Sequence, residues 1–367
     1  MTTDSTHDPR ESKLTVPATG RAAVQAEKNS PIEIKDVPVV QAEKLEPGQV
    51  LIRMLFSGVC HTDLHAVRGD WPIPSKRPLI GGHEGTGIVC AVAGHSPVKV
   101  GDRVGVKWIA DACLTCESCR LGEECHCTAG LPKLSGYTVD GTFAQYVVSW
   151  ARYVTPLPED LPMPDAAPIL CAGVTVYKAL KQADLLPGDT VVVLGSGGGL
   201  GHLGTQYAAA MGYRVIGIDT GEEKRAFSLK CGVDHFIDFR TNPDVRQAVL
   251  DATPDKTGVH AAIVAAASAP AYEQALSYLR AKGSLVALGL PPGTKIQADV
   301  FELVVRQKRI IGSYTGNRQD AIEALRLAAR GKVKVSYQLR GLSELPKIFE
   351  EMEKGQLVGR VVLDIDK

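Results

Sequence analysis

Thr190-Val-Val-Val-Leu194 runs without a break into Gly195-Ser-Gly-Gly-Gly-Leu-Gly201, and a helical pattern follows. A β-branched run that ends in a glycine loop and opens a helix is a strand–turn–helix unit. The glycines let the turn tighten and let backbone reach a pyrophosphate, whose charge rests on the N-terminus of the following helix. Gly195, Gly198 and Gly201 make GxxGxxG, one residue longer at the front than the plain GxGxxG, with Gly199 inside the same loop. The next apolar run ends at Asp219, 18 residues after Gly201. An acid there accepts hydrogen bonds from the adenosine ribose hydroxyls and repels a 2′-phosphate, which favours NAD over NADP. A glycine-rich turn beside a solvated Asp is the plainer alternative, and strand, loop and acid in this order disfavour it.

Around this unit the texture is strand and helix in alternation. Apolar runs recur at 191–194, 214–218, 235–239, 261–265, 284–288 and 310–313. Helical patterns lie between them at 203–211, 222–229, 271–279 and 300–306. Six strands with intervening segments predict a doubly wound parallel sheet, the Rossmann arrangement, over residues 175–313. Before it the pattern differs. Short runs at 50–56, 87–92 and 102–106 are cut by Gly, Pro and polar turns, which predicts a β-rich domain of Greek-key or barrel type over 21–174. Strand order there is not legible. Two helices (320–330 and 345–354) and a last strand (360–365) form a tail, 314–367, expected to return to that first domain. Residues 1–20 are polar and read as a flexible extension.

Composition excludes several classes. Lys+Arg and Asp+Glu are both 41, and a neutral balance argues against nucleic-acid or anionic-membrane partners, which call for a basic face. At 44% hydrophobic and 22% charged the chain can bury a full core. No run approaches the ~18 apolar residues of a membrane helix. The N-terminus has neither a signal peptide's apolar stretch nor the acid-poor, Arg-rich character of a transit peptide. A cytoplasmic protein is the expectation.

Of the nine cysteines, Cys113, Cys116, Cys119, Cys125 and Cys127 crowd one short stretch. That reads as metal binding rather than a disulfide framework. Four thiolates close a tetrahedral zinc site with no open position, which staples a loop and does no chemistry. Spacing leaves Cys125 and Cys127 as rivals for the fourth place. A second set is scattered: Cys60, then His83-Glu84, then Cys171. Two thiolates and an imidazole leave a position for water or substrate, the arrangement of a catalytic zinc. Taken singly, Cys60 and Cys171 read more readily as buried core thiols, and His83 as a hydrogen-bonded structural histidine.

Gly58-Val-Cys-His-Thr-Asp-Leu-His65, Gly69-Asp-Trp-Pro72 and Gly81-Gly-His-Glu-Gly-Thr-Gly87 resemble the zinc-containing medium-chain alcohol dehydrogenases, nearest the fungal tetrameric ethanol dehydrogenase branch. Ala167-Pro-Ile-Leu-Cys-Ala-Gly173 and Gly312-Ser-Tyr-Thr-Gly-Asn-Arg318 continue the likeness, which covers about residues 32–367. The resemblance implies a GroES-like β-rich catalytic domain beside the Rossmann domain, NAD, two zinc ions per subunit and a homotetramer. It assigns Cys60, His83 and Cys171 to the catalytic zinc, and Cys113, Cys116, Cys119 and Cys127 to the structural one. Glu84 is then the acid beside the metal, and Asp63 the carboxylate that orients the metal-bound imidazole. Thr62 and His65 form a proton relay. His61 and Arg360 meet the cofactor pyrophosphate, and Lys224 lies near the adenosine ribose. Trp71 and Trp108 match pocket walls that favour small primary alcohols. Val67, Arg68 and Leu290 depart from the pattern, so ethanol is the expected substrate while longer or allylic alcohols stay open.

The implied chemistry is coherent. Alcohol oxidation removes a proton from oxygen and a hydride from carbon; zinc acidifies a bound hydroxyl, and the zinc-bound alkoxide passes hydride to the nicotinamide. The proton leaves through Thr62, the nicotinamide ribose and His65, an imidazole suited to it near neutral pH. A polyol or secondary-alcohol dehydrogenase is disfavoured by the two tryptophans and by Cys171. A non-catalytic protein of the same fold is disfavoured because every ligand and relay position is filled.

Overall fold

Eleven nearly all-buried residues, Gln49–Val59, form the central strand of the first compact unit. Residues buried on both faces of a strand read as an unbroken apolar run, and Val50, Leu51, Ile52, Met54 and Leu55 supply one here. Its Gln49–Arg53 half pairs antiparallel with Tyr146–Trp150, and its end, Phe56–Val59, pairs antiparallel with Asp364–Val361. The other neighbour is Gly85–Val92, with register shifts at Leu51/Ile52 and Met54/Phe56. Arg103–Val106 and Thr155–Pro156 extend the same sheet, as does Tyr337–Gly341, parallel to the last strand. The C-terminal strand is thus built into the sheet begun by residue 49.

The computed structural model describes residues 8–12, 14–129, 133–291, 293–354, 356–357 and 359–367. They divide into a unit drawn from residues 8–171, 317–329 and 335–367 and a unit drawn from residues 172–316 and 330–334. In the first, helix Leu345–Glu353 turns Leu345, Ile348, Phe349 and Met352 into the core at helical spacing, and Phe349 meets Phe143 with ring centroids 6.5 Å apart. Part of the extension expected to be flexible is anchored in this unit. Pro9–Ser12 form a 3-10 turn whose Arg10 reaches Asp364 at 2.6 Å and Asp366 at 3.3 Å. Residues 1–7 and 13 of that extension lie outside the described residues.

The second unit is a six-stranded parallel sheet. In chain order its strands are Thr190–Leu194, Arg214–Asp219, His235–Asp238, Val259–Val264, Leu279–Ala287 and Arg309–Gly312. Their spatial order is third, second, first, fourth, fifth, sixth. This is the doubly wound order, in which the loop after the first strand lies where the winding reverses. Val191–Val193 and Ala261–Val264 are fully buried, as strands covered by helices on both faces must be. Helix Val245–Ala252 is absent from the sequence reading. Asp244 caps it by accepting from Gln247 N at 2.9 Å. Among the described residues no helix is long and apolar enough to cross a membrane.

Candidate active site and metal centres

Cys60 is the last residue before helix His61–Arg68, and Asp63 sits one turn inside it. Asp63 Oδ2 accepts from the Cys60 backbone N at 2.8 Å, the return half of a capping box. Its other oxygen, Oδ1, lies 2.7 Å from His83 Nδ1. One carboxylate therefore caps the helix and fixes the histidine ring, leaving Nε2 as the free-electron-pair face. That Nε2 is 3.2 Å from Cys171 Sγ and 3.9 Å from Glu84 Oε1. Cys171 lies on a π-helical turn, Ile169–Gly173, a one-turn irregularity of the kind that re-aims a side chain. The donor atoms of Cys60, His83, Glu84 and Cys171 all fall within 4.8 Å of one another.

The electrostatics of this group are those of a site short of positive charge. A hydrogen bond from the Cys171 thiol, with help from His83 and Arg360, holds Cys60 well below the ordinary thiol range. The same bond and burial push Cys171 well above it. Burial opposes protonation of His83, yet the Asp63 charge and hydrogen bond, with Cys60, outweigh it and raise its pKa. Burial lifts Glu84 to about 7 against the pull of Arg360. Arg360 pairs with Glu84 Oε1, while Glu84 Oε2 is buried without a hydrogen-bond partner. Two thiols sharing a proton, an oriented imidazole and an orphaned carboxylate oxygen fit a divalent zinc-type cation, which would displace the proton.

Beside the cluster stands an aromatic wall. Trp108 is buried and meets the His83 ring edge-on, with centroids 5.2 Å apart. Trp71 lies 6.1 Å from Trp108, and Tyr137 lies 5.8 Å from Trp71 and 5.6 Å from Trp108. His65 stacks on Trp71 at 5.1 Å, and its Nδ1 is 2.9 Å from Asp70 Oδ1. Sequence reading missed Tyr137 and Asp70. The Gly69-Asp-Trp run carried the signal for Asp70, since it places an acid five residues after His65. On the same helix Thr62 is half-buried and His61 exposed.

The second group, Cys113, Cys116, Cys119 and Cys127, also converges within 4.8 Å. Cys113 N points at Cys127 Sγ at 3.3 Å, and Thr115 N and Cys116 N point at Cys113 Sγ at 3.4 and 3.3 Å. Hydrogen bonds from Thr115, then from Cys116, bring Cys113 down to about 5. Burial and its thiol neighbours drive Cys119 up to about 12. Backbone N–H groups aimed at sulfur stabilise a thiolate, and a neighbouring thiol held protonated marks where a cation fits. Cys125 is outside this group.

In the parallel-sheet unit, Gly195 has φ +81°, and a Cβ on Gly201 would meet the Gly195 carbonyl oxygen at 1.9 Å. The loop therefore tolerates only glycine at its entry and at the first residue of helix Gly201–Ala210. Asp219 Oδ2 accepts from Gly197 N at 3.0 Å, and Oδ1 takes Thr220 N at 2.9 Å and Lys224 Nζ at 3.0 Å. Gly197, not singled out by spacing, is thus the loop residue tied to the acid. Gly198 closes the turn by donating to the Gly195 carbonyl at 2.9 Å. Gly199 follows it in the same loop, and Lys224 reaches the acid from helix Glu222–Lys230.

Comparison with known proteins followed the same division. Residues 199–330 match the zinc-binding dehydrogenase family, and residues 46–159 match the alcohol dehydrogenase GroES-like domain. The chain is 46% identical over 354 residues to alcohol dehydrogenase 1 of Emericella nidulans, covering 96% of this chain and 99% of that one. Among solved structures it is similar to the alcohol dehydrogenase of Aeropyrum pernix, at 33% identity and TM-score 0.83, covering 94% and 99% of the two chains. It is also similar to the acetophenone reductase of Geotrichum candidum solved with NAD, at 30% identity and TM-score 0.83, covering 96% and 99%.

Proposed function

The chain belongs to the zinc-binding alcohol dehydrogenases of the medium-chain dehydrogenase family, and from that premise we propose that it is an NAD- and zinc-dependent enzyme interconverting small primary alcohols, ethanol foremost, and their aldehydes. The observation that carries this reading is the convergence of Cys60, His83 and Cys171, with Asp63 behind the histidine. Residues 21–174 and 314–367 take the catalytic part and residues 175–313 the cofactor part.

Cys60, His83 and Cys171 hold the reactive zinc, Cys113, Cys116, Cys119 and Cys127 the structural one, and the Gly195–Gly201 loop with Asp219 and Lys224 holds NAD. When bound, zinc supplies a Lewis acid that acidifies a hydroxyl and NAD supplies the hydride acceptor. Asp63 keeps the His83 proton on Nδ1, so that Nε2 stays a donor of its electron pair. Glu84, neutralised on one oxygen by Arg360, keeps the other available to the ligand group during exchange. Arg360 offers positive charge to the pyrophosphate, and His61, which burial keeps below the ordinary histidine range, offers a neutral ring N–H. The substrate proton leaves by way of Thr62 Oγ1 and His65, whose Nδ1 is held by Asp70, so that Nε2 is the atom that receives and releases it. Trp71, Trp108 and Tyr137 exclude water and leave room for a short alkyl chain.

The assembly is a homotetramer. The count of four rests on the family resemblance, and self-association is supported by an exposed apolar face on helix Val300–Val305, where Val300, Phe301, Val304 and Val305 are each more than 60% exposed, just ahead in the chain of the sheet's edge strand Arg309–Gly312. A cytoplasmic setting suits nine cysteines of which none is in a disulfide. The test is NADH formation from NAD across a panel of alcohols, before and after zinc removal. Ethanol in the lead, with activity lost on chelation and restored by zinc, is the expected result. Turnover confined to bulky or secondary alcohols would refute the pocket assignment, and no turnover by zinc-loaded protein would refute the reading itself.

A further inference from the structure

Cys125 has no part in either zinc group, and its surroundings are those of a third. It is buried on the 3-10 turn Glu124–His126. Its Sγ lies 3.2 Å from His126 Nδ1 and 3.8 Å from Glu123 Oε2, and His126 Nδ1 lies 3.9 Å from the same Glu123 oxygen. A tetrahedral zinc ion has bonds of about 2.3 Å to sulfur and 2.0–2.2 Å to nitrogen and oxygen, which sets the edges between its donors at about 3.4–3.6 Å. The three observed edges bracket that range, so side-chain shifts of up to about half an ångström would seat an ion. The backbone explains the convergence. In a 3-10 turn residues three apart eclipse, which stacks Glu123 with His126 and leaves Cys125 between them.

We propose that Glu123, Cys125 and His126 form a third site for a divalent cation of the zinc class, exchangeable with solvent and separate from the two clusters already described. Thiolate, imidazole and carboxylate together select a borderline-soft transition ion over magnesium or calcium. On binding, the Cys125 thiol releases its proton, and one thiolate with one carboxylate balances the two positive charges. The Glu123 and His126 side chains are 40% and 62% exposed, so the ion has an entry path and its remaining coordination is completed by water. Three ligands on a solvent-open turn hold metal more weakly than four buried thiolates, and the site therefore empties under a metal buffer that leaves the closed site filled.

The experiment uses the full chain holding two zinc equivalents by elemental analysis, titrated with Co(II) alone. One further equivalent with a thiolate-to-cobalt absorption band is expected. That equivalent should weaken at least tenfold in His126→Ala and in Glu123→Gln, both exposed changes that leave the fold intact by circular dichroism. Cys125→Ser should lose the band. If the buried serine fails to fold, the two surface variants decide alone. No third equivalent in the wild type, or one that His126→Ala and Glu123→Gln leave unchanged, overturns the proposal and reduces the trio to a hydrogen-bonded thiol–imidazole pair.

Discussion

Single carboxylates and amines each tie several groups together in this molecule, and Asp219 is the clearest case. Its two oxygens hold Gly197 N, Thr220 N and Lys224 at once, so the acid sets the loop's shape as well as its charge. Asp219→Asn keeps an acceptor for the loop but removes the negative charge and frees Lys224. The NADP-to-NAD ratio of kcat/KM should rise at least tenfold; an unchanged ratio would deny Asp219 its role. Lys107 is a second case. Its ammonium lies buried, 4.1 Å from the Tyr153 ring centre, and donates to Thr155 Oγ1 at 3.1 Å. Burial lowers its pKa from 10.5 to about 7, against the weaker pull of Glu124. The unfolded chain therefore binds more protons between pH 7 and 10.5, and stability rises with pH across that window. Below pH 7 the whole penalty is present, of order 4–5 kcal/mol at 1.36 kcal/mol per pKa unit. Lys107→Met should be flatter than the wild type between pH 7 and 9 in thermal melts, and parallel curves would show that the amine is solvated. Residues such as Asp63 were legible because they sit in a short motif. Tyr137 was not, because its place beside Trp71 and Trp108 depends on strand pairing that spacing does not encode.

At the scale of elements, the two cysteine groups have different jobs because of what carries them. Cys113, Cys116, Cys119 and Cys127 lie on one loop built from a four-residue helix, Glu117–Arg120, and a 3-10 turn, both too short to hold shape unaided. Cys60 and Cys171 instead lie on a capped helix and a π-turn, in the unit built round an eleven-residue core strand. Cys116→Ala should therefore lower the melting temperature by several degrees, whereas Cys171→Ala should abolish turnover with a near-wild-type melt. Equal thermal losses in the two variants would contradict the division. The alternating elements of the parallel sheet were legible because strands buried on both faces and amphipathic helices have distinct periods. Helix Val245–Ala252 escaped because it is short, although Asp244 and the Gln247 that it caps were there to be read. The strand order of the β-rich unit was out of reach for a different reason. Antiparallel pairing links segments as distant as Val59 and Val361, and no local pattern records such partners.

At the scale of the whole molecule, the segment at Arg10 and the last strand meet in the same unit, and this closure was invisible in a polar N-terminal stretch. Arg10 bonds Asp364 and Asp366, stands over the Phe56 ring at 4.9 Å, and accepts at its backbone oxygen a hydrogen bond from Arg53 at 2.9 Å. Arg53 in turn holds Asp366 at 2.9 Å. Asp364 is 5% exposed and ends the strand that pairs with Phe56. Removing Arg10 would leave that carboxylate with Lys367, at 3.3 Å, as its nearest cation, on a side chain 68% exposed. A buried acid stripped of one partner typically costs about 3–5 kcal/mol, and partial exposure of Arg10 and Asp366 scales this to about 1–3 kcal/mol. The loss belongs to one place. Arg360–Asp364 is held by its pairing with Phe56–Val59, so loosening its end should speed amide exchange in 361–364 and 56–59 first. Arg10→Ala should thus show faster exchange in those two segments, with the parallel-sheet strands at 190–194 and 259–264 unchanged, and a melting temperature lower by a few degrees. Uniform acceleration through both units would point to a global loss of stability instead, and no change at 361–364 would make the Arg10 contacts surface ion pairs of no structural consequence.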